Sequence, residues 1–208
     1  MTTLDAPTAD ALRRRGLGLE YVTIGWNVIE AAVAVAAGIA AGSIALVAFG
    51  FDSSIEVFAA SVVVWQLRAE LRGHVDDDRE RRALKLIAVT FFVLAAYVTT
   101  DAIRDVVVDE EAEASLVGII LASVSLVVMP TLAWLKRRTG RALNSSTLIA
   151  DSAETFLCSW LSAVLLIGLL LNATVGWWWA DPLAALGIAF LALREGIEAW
   201  HGDDSDHD

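Results

Sequence analysis

A chain of 208 residues in which 57% are hydrophobic, with a mean hydropathy of +0.61, is too apolar for an ordinary soluble domain and falls in the membrane class. Its net charge of −11 and its short basic segments exclude a nucleic-acid-binding role. A single cysteine excludes an intrachain disulfide.

A bilayer core of about 30 Å requires about 20 apolar residues of a spanning helix, and the sequence predicts six such spans. They cover roughly Leu19–Ala41, Ile44–Leu67, Ala83–Val108, Ser115–Leu135, Ser146–Leu171 and Trp177–Trp200. The expected fold class is therefore an all-α membrane protein, a bundle of six transmembrane helices over residues 19–200. It is flanked by an N-terminal tail, residues 1–18, and an acidic C-terminal tail, residues 201–208. The first apolar run is too long for a cleavable signal and continues at once into a second span, so no processing is expected.

Every basic residue except Arg104 falls before span 1, between spans 2 and 3, between spans 4 and 5, or at the end of span 6. Six crossings place all of these on one side, and by the positive-inside rule both termini are expected in the cytoplasm. The loops on the other side, at 41–43, 109–114 and 172–176, hold no Lys or Arg. Trp177, Trp178 and Trp179 are expected at the outer interface, and Trp65, Trp134 and Trp200 at the inner one. The expected location is the plasma or inner membrane, with the lipid bilayer as the surrounding partner.

Ionisable groups at membrane depth cost roughly 2.5–3.5 kcal/mol each and normally mark a pathway or site. Span 1 carries Asn27 and Glu30. Span 2 carries Asp52 and Glu56, four apart and hence on one helical face. Span 5 carries Asp151, Glu154 and Cys158, again one stripe of a 3.6-residue helix. Two like charges on one face of span 2, with no basic residue in spans 1, 2 or 5, call for a bound cation or for protons. All three histidines lie outside the spans, which removes imidazole from any intramembrane ligand set. Asp151 could cap span 5 or guard an entrance as well as ligate. Asp181 before Pro182 reads as a helix N-cap with proline in the first turn. Asp101, Arg104 and Asp105 are spaced to pair with one another in span 3.

"LVAFGFDSSIEVF" and "TLIADSAETFLC" both set Asp-Ser and then Glu in an apolar run, an echo of the kind inverted-repeat transporters show. Together with "WWWADPLAALGIAFLALREG" near the end, these segments resemble the cation diffusion facilitators, which export divalent metals in exchange for protons. "DSSIE" is similar to that family's acidic D-x-x-x-D motif, giving Asp52 and Glu56. "IADSAETFLC" is similar to its A-D-x-x-H-x-x-x-D motif, with Glu154 in the histidine position and Cys158 in the final aspartate position.

The resemblance implies a metal site of Asp52, Glu56, Glu154 and Cys158, with Asn27, Glu30 and Asp151 ligating or supporting it. It implies secondary transport by alternating access, a homodimer joined through spans 3 and 6 with Gly187, Ala189 and Ala192 as small contact residues, and no prosthetic group. The cargo would be zinc, manganese or iron. Carboxylates favour manganese or ferrous iron, whereas a thiolate favours zinc. The family's His-rich loop between spans 4 and 5 is here the basic "KRRTGR", and its C-terminal cytosolic domain is not expected in this chain. An enzyme is not expected, since there is no phosphate-cradling loop and no nucleophile beside a base. The alternatives are a proton- or cation-conducting pore, and a non-transporting membrane scaffold or regulator.

Overall fold

The computed structural model describes residues 6–41, 44–74, 77–108, 116–175 and 180–201. It contains six helices: α1 (Ala6–Ala41), α2 (Ile44–Leu71), α3 (Asp77–Val108), α4 (Leu116–Leu143), α5 (Ser146–Val175) and α6 (Ala180–His201). Among the described residues no strand occurs, and the protein is an all-α membrane protein. Four helices are long and apolar enough to cross a bilayer, over Thr8–Ala40, Asp78–Arg104, Leu116–Leu143 and Ser146–Ile167. The other two predicted spans, α2 and α6, have 28 and 22 residues, lengths of about 42 and 33 Å at the α-helical rise.

The helix ends follow local chemistry. Gly73 stops α2 in the left-handed conformation (φ 80°), and there the His74 and Gly73 N–H groups donate to the carbonyls of Ala69 and Glu70. Asn144 (φ 52°) ends α4 in the same way, with Ser145 N–H donating to the Gly140 carbonyl. The Ser145 hydroxyl then accepts from the Leu148 N–H and opens α5. One stop lies well beyond the predicted end of span 4. "KRRTGR" is therefore not a loop: nothing in it breaks a helix before Asn144, so α4 carries Lys136, Arg137, Arg138 and Arg141 as helical residues.

In the packing, α1 lies along α2, α4 along α5 and α3 along α6, with further contacts of α1 on α4, α2 on α5, and α3 on both α2 and α5. Helices α1, α2, α4 and α5 thus enclose one interior, and the α3–α6 pair leans on α2 and α5. Val63, Leu67, Ile87, Phe91, Leu148 and Ala192 make the apolar core where α2, α3, α5 and α6 meet. Ala34, Leu46, Phe49 and Leu121 make a smaller one between α1, α2 and α4. Large apolar side chains such as Val22, Ile29, Phe51, Val127 and Phe190 point outward, as a lipid-facing surface requires.

Ala189 and Ala192, expected to meet a second copy, are buried within this chain against α3. Only Gly187 of that small-residue set remains exposed. The face is consumed internally because Gly196 brings α6 so close to α3 that a Cβ there would stand 2.9–3.0 Å from Phe91 and Phe92. Gly50 does the same between α2 and α1: an added Cβ would meet Val35 Cγ2 at 2.7 Å and the Ala31 carbonyl at 3.1 Å. Backbone atoms cannot step aside as a flexible side chain can, so Gly50→Val should destabilise the bundle by about 1–3 kcal/mol. A thermal midpoint equal to that of the unaltered protein in the same detergent would contradict this.

One end of the bundle is marked by cations lying on aromatic rings. Arg68 sits over Tyr21, Arg79 over Trp65, Lys85 over Trp200 and Arg138 over Trp134. Arg13 Nε joins the start of α1 to the end of α2 by a 2.8 Å bond to Glu70. The start of α1 and the end of α6 therefore lie at the same, basic end. Asp101 and Asp105, the loop at 109–114, the side chain of Asp181 and the tail from 202 lie outside the described residues or side chains.

Candidate metal centre in the bundle interior

Three helices turn polar stripes into this interior. On α1, Glu20, Thr23, Asn27 and Glu30 recur at helical spacing and are all buried, none more than 2% exposed. On α2 the buried polar residues include Asp52, Ser53 and Glu56; on α5 they include Asp151, Glu154, Thr155 and Ser159, with Cys158 among them. The structure thus buries every residue singled out in spans 1, 2 and 5. It puts His74 and His201 on the exterior.

The partners of these groups are few. Ser53 Oγ lies 3.1 Å from Glu30 Oε2 and 3.2 Å from the Phe49 carbonyl. Thr90 Oγ, from α3, lies 3.0 Å from Glu154 Oε2 and 2.6 Å from the Ile87 carbonyl. Each hydroxyl has one proton for two acceptors. Asn27 Nδ2 donates to the Thr23 carbonyl at 3.0 Å, which leaves its Oδ1 facing inward without a donor. Ser125 of α4 and Trp26 of α1 border the Glu30 carboxyl. The Cys158 thiol is a polar neighbour of both Asp52 and Glu56.

The carboxylate oxygens left over are the informative ones. Glu30 Oε1, Asp52 Oδ1, both oxygens of Glu56 and Glu154 Oε1 are buried and receive no hydrogen bond. A buried charge without partners costs several kcal/mol, so these oxygens call for a proton or a cation. Among the described residues no three His, Cys, Asp or Glu side chains are gathered tightly enough to enclose a metal ion as they stand. The acids share one interior without forming a closed cage.

Beside them lies an ion pair that the sequence did not disclose. Lys136 of α4, fully buried, places Nζ 2.6 Å from Asp151 Oδ2, 2.9 Å from Glu20 Oε2 and 3.1 Å from Thr155 Oγ. Its three N–H donors thus face three oxygens, on α5, α1 and α5. Asp151, read from sequence as a cap, guard or ligand, is held by this lysine. Spans 1, 2 and 5 do lack basic residues, but the counter-charge arrives from α4. It is engaged by Glu20, Asp151 and Thr155; among the described residues no ion pair joins it to Asp52, Glu30, Glu56 or Glu154, although its charge is felt at Glu56. Lys136 reads as part of a cytoplasmic "KRR" cluster because it follows the apolar run. Its helical register with buried Ser125, Met129, Leu132 and Ala133 was the signal that could have placed it inside.

Residues 85–199, more than half of the chain, match the cation efflux transmembrane domain. The chain belongs to the cation efflux family. This is a family of transporters, and an enzymatic role has no support in it. The matched segment runs from within α3 to near the end of α6, with Glu154, Cys158 and Lys136; Asp52 and Glu56 precede it. The chain is similar to the uncharacterized transporter sll1263 of Synechocystis, 29% identical over 163 residues, 74% of this chain and 52% of that protein. It is 25% identical to the magnetosome protein MamB of Magnetospira, over 77% of this chain and 57% of that one. It is 36% identical over 77 residues to the cation-efflux pump FieF of Shewanella oneidensis, 37% of this chain and 26% of the pump. The chain thus spans little more than half the length of the first two relatives. As a cation efflux family member it is a multi-pass membrane protein.

Proposed function

We propose that the protein exports a divalent transition-metal ion in exchange for protons, by alternating access to a site made of Asp52, Glu56, Glu154 and Cys158 with Asn27 and Glu30 in support. The observation that carries this is the set of buried, donorless carboxylate oxygens on Glu30, Asp52, Glu56 and Glu154. Protons neutralise them when the site is empty of metal, because burial favours the uncharged carboxyl. A divalent ion binds to the deprotonated groups and so displaces protons. The same acids therefore couple the two fluxes without further machinery. An open gathering of acids suits a carrier, which has to release its cargo as readily as it binds it.

The donor set sets the order of cargoes. Carboxylates draw manganese and ferrous iron, while the Cys158 thiol draws zinc. The basic end with its cation–aromatic contacts supports, through the positive-inside rule, a cytoplasmic side for both termini. The protein is read as a homodimer of the plasma or inner membrane, joined through the outward faces of α3 and α6, where Val93 and Phe190 are exposed. FieF bears the name of a cation-efflux pump, which agrees with the direction proposed. A pore would instead show conductance without saturation, and a scaffold would show neither binding nor flux.

Metal-dependent thermal stabilisation of the purified protein tests the site. At an ion concentration about 100 times the dissociation constant, binding should add about 2.7 kcal/mol of stability. Manganese, iron(II) and zinc should raise the thermal midpoint, and magnesium should raise it least because it gives up its water shell reluctantly. Cys158→Ser should diminish the zinc effect more than the manganese effect. Equal midpoints with and without every one of these ions would overturn the site.

A further inference from the structure

The Lys136 ion pair lies between the acids and the basic end of the bundle. On α5, Asp151 precedes Glu154 and Cys158 by about 4.5 and 10 Å along the axis, and on α1 Glu20 precedes Glu30 by about 15 Å, both toward that end. Two residues after Lys136, Arg138 lies on Trp134 at the basic rim. The polar stripes of α1 and α5, followed from the acids toward that rim, thus meet Lys136 before they meet the surface. They continue past it: Thr139 and Thr147 are buried further along, and the Thr147 hydroxyl has no partner. Glu20 Oε1 and Asp151 Oδ1 are also without donors. Below them Leu67 and Leu148 close over Gly16, both fully buried.

A lane of polar atoms of this kind, several without partners, offers ligands to a cation once the helices part around it. Lys136 stands across it with a positive charge of its own. A divalent ion cannot pass a fixed ammonium at contact distance, so the lane conducts only when the lysine has left Glu20 and Asp151. Lysine fits this task better than arginine, being a compact charge on a flexible four-carbon stem. Its two carboxylates belong to different helices, α1 and α5, so its release also unties α1 from α5.

We propose that Lys136, clasped by Glu20 and Asp151, is the charged lock in the closure of the ion path on the basic side, with Leu67 and Leu148 packed over Gly16 beyond it, and that the structure holds this side shut. The proposal rests on the transporter reading, since a gate needs a path. Release of the clasp would expose Glu20 and Asp151, which then present two carboxylates to a cation arriving from the basic end. Binding of the cargo would thereby compete directly with the lysine for the same oxygens.

Cys158, the single cysteine of the chain and buried beside Asp52 and Glu56, reports the state of the gate without any metal. A small charged thiol reagent is applied in turn to each face of membrane vesicles of known orientation. In the combined variant Glu20→Gln, Lys136→Met, Asp151→Asn, which removes the three charges together, modification from the basic side should speed up about tenfold or more, because labelling follows the open population. The rate from the opposite face should be unchanged. Asp151→Asn alone leaves Lys136 its pair with Glu20 and should give a smaller rise. Exchanging charges, Glu20→Lys with Lys136→Glu, keeps one cation between acids and should restore slow labelling. If the combined variant and Asp151→Asn both label at the unaltered rate from the basic side, the gate is wrong. Metal flux by the unaltered protein is measured alongside: flux with no change in labelling removes the gate and leaves the transporter, whereas faster labelling with no flux does the reverse.

Discussion

Lys136→Met alone should destabilise the protein by about 3–5 kcal/mol, the usual cost of removing one partner from a buried ion pair. The loss comes from what stays behind. Glu20 and Asp151 are each fully buried, and without the ammonium at 2.9 and 2.6 Å their charges face each other in a low dielectric. Neutralising all three members together removes that penalty, and replacing a buried ionic group by uncharged side chains of similar size is often neutral or stabilising. The combined variant Glu20→Gln, Lys136→Met, Asp151→Asn should therefore be markedly more stable than Lys136→Met, although it carries two more substitutions. Denaturant or thermal unfolding in one detergent checks the order. A combined variant less stable than the single one would mean that the side chains pack for shape and not for charge.

Much of the bundle is written in the hydropathy of the chain, because a bilayer leaves a helix little choice of length or surface. The beginnings of α2 and α5 agree with the expected spans, at Ile44 and Ser146. The helices extend beyond the apolar runs at the basic end, as in α1 from Ala6 and α4 to Leu143, where polar residues continue a helix that no longer needs lipid. Asp52, Glu56, Glu154 and Cys158 are legible because a polar residue stands out against apolar neighbours and their spacing fixes a shared face. Glu20 and Lys136 were not, since each lies at the margin of its apolar run, Glu20 next to Leu19 at its start and Lys136 beside Arg137 and Arg138 past its end, where a charge needs no explanation. Hydroxyl partners such as Ser53 and Thr90 are illegible for a different reason: serine and threonine occur throughout these helices, bonding to the preceding turn, as Ser54, Ser61 and Thr99 do here. Only the fold tells which of them reaches a carboxylate.

The Asp52→Asn, Glu56→Gln variant should lose metal transport while keeping its fold. Both substitutions preserve shape and remove only charge and proton exchange, and both sites are buried without basic partners on their own helix. Loss of groups that merely orient metal ligands costs about 10–100-fold in affinity, so loss of two ligands should exceed that range. Stability should hold, because each amide keeps the shape and volume of the carboxyl it replaces. Glu154→Gln should act in the same direction with the acid of the opposite helix. The retained Lys136 pair would keep α1, α4 and α5 together in each variant.

The most direct measurement is metal uptake into proteoliposomes under an imposed proton gradient. For the unaltered protein, manganese, iron(II) or zinc flux should saturate with concentration, run opposite to the proton flow and collapse when a protonophore is added. For Asp52→Asn with Glu56→Gln it should fall to the level of protein-free liposomes. Undiminished saturable flux through the doubly substituted protein would contradict the assignment of the acids as the transport site, and an unaltered protein that carries no metal under any gradient would contradict the transporter itself.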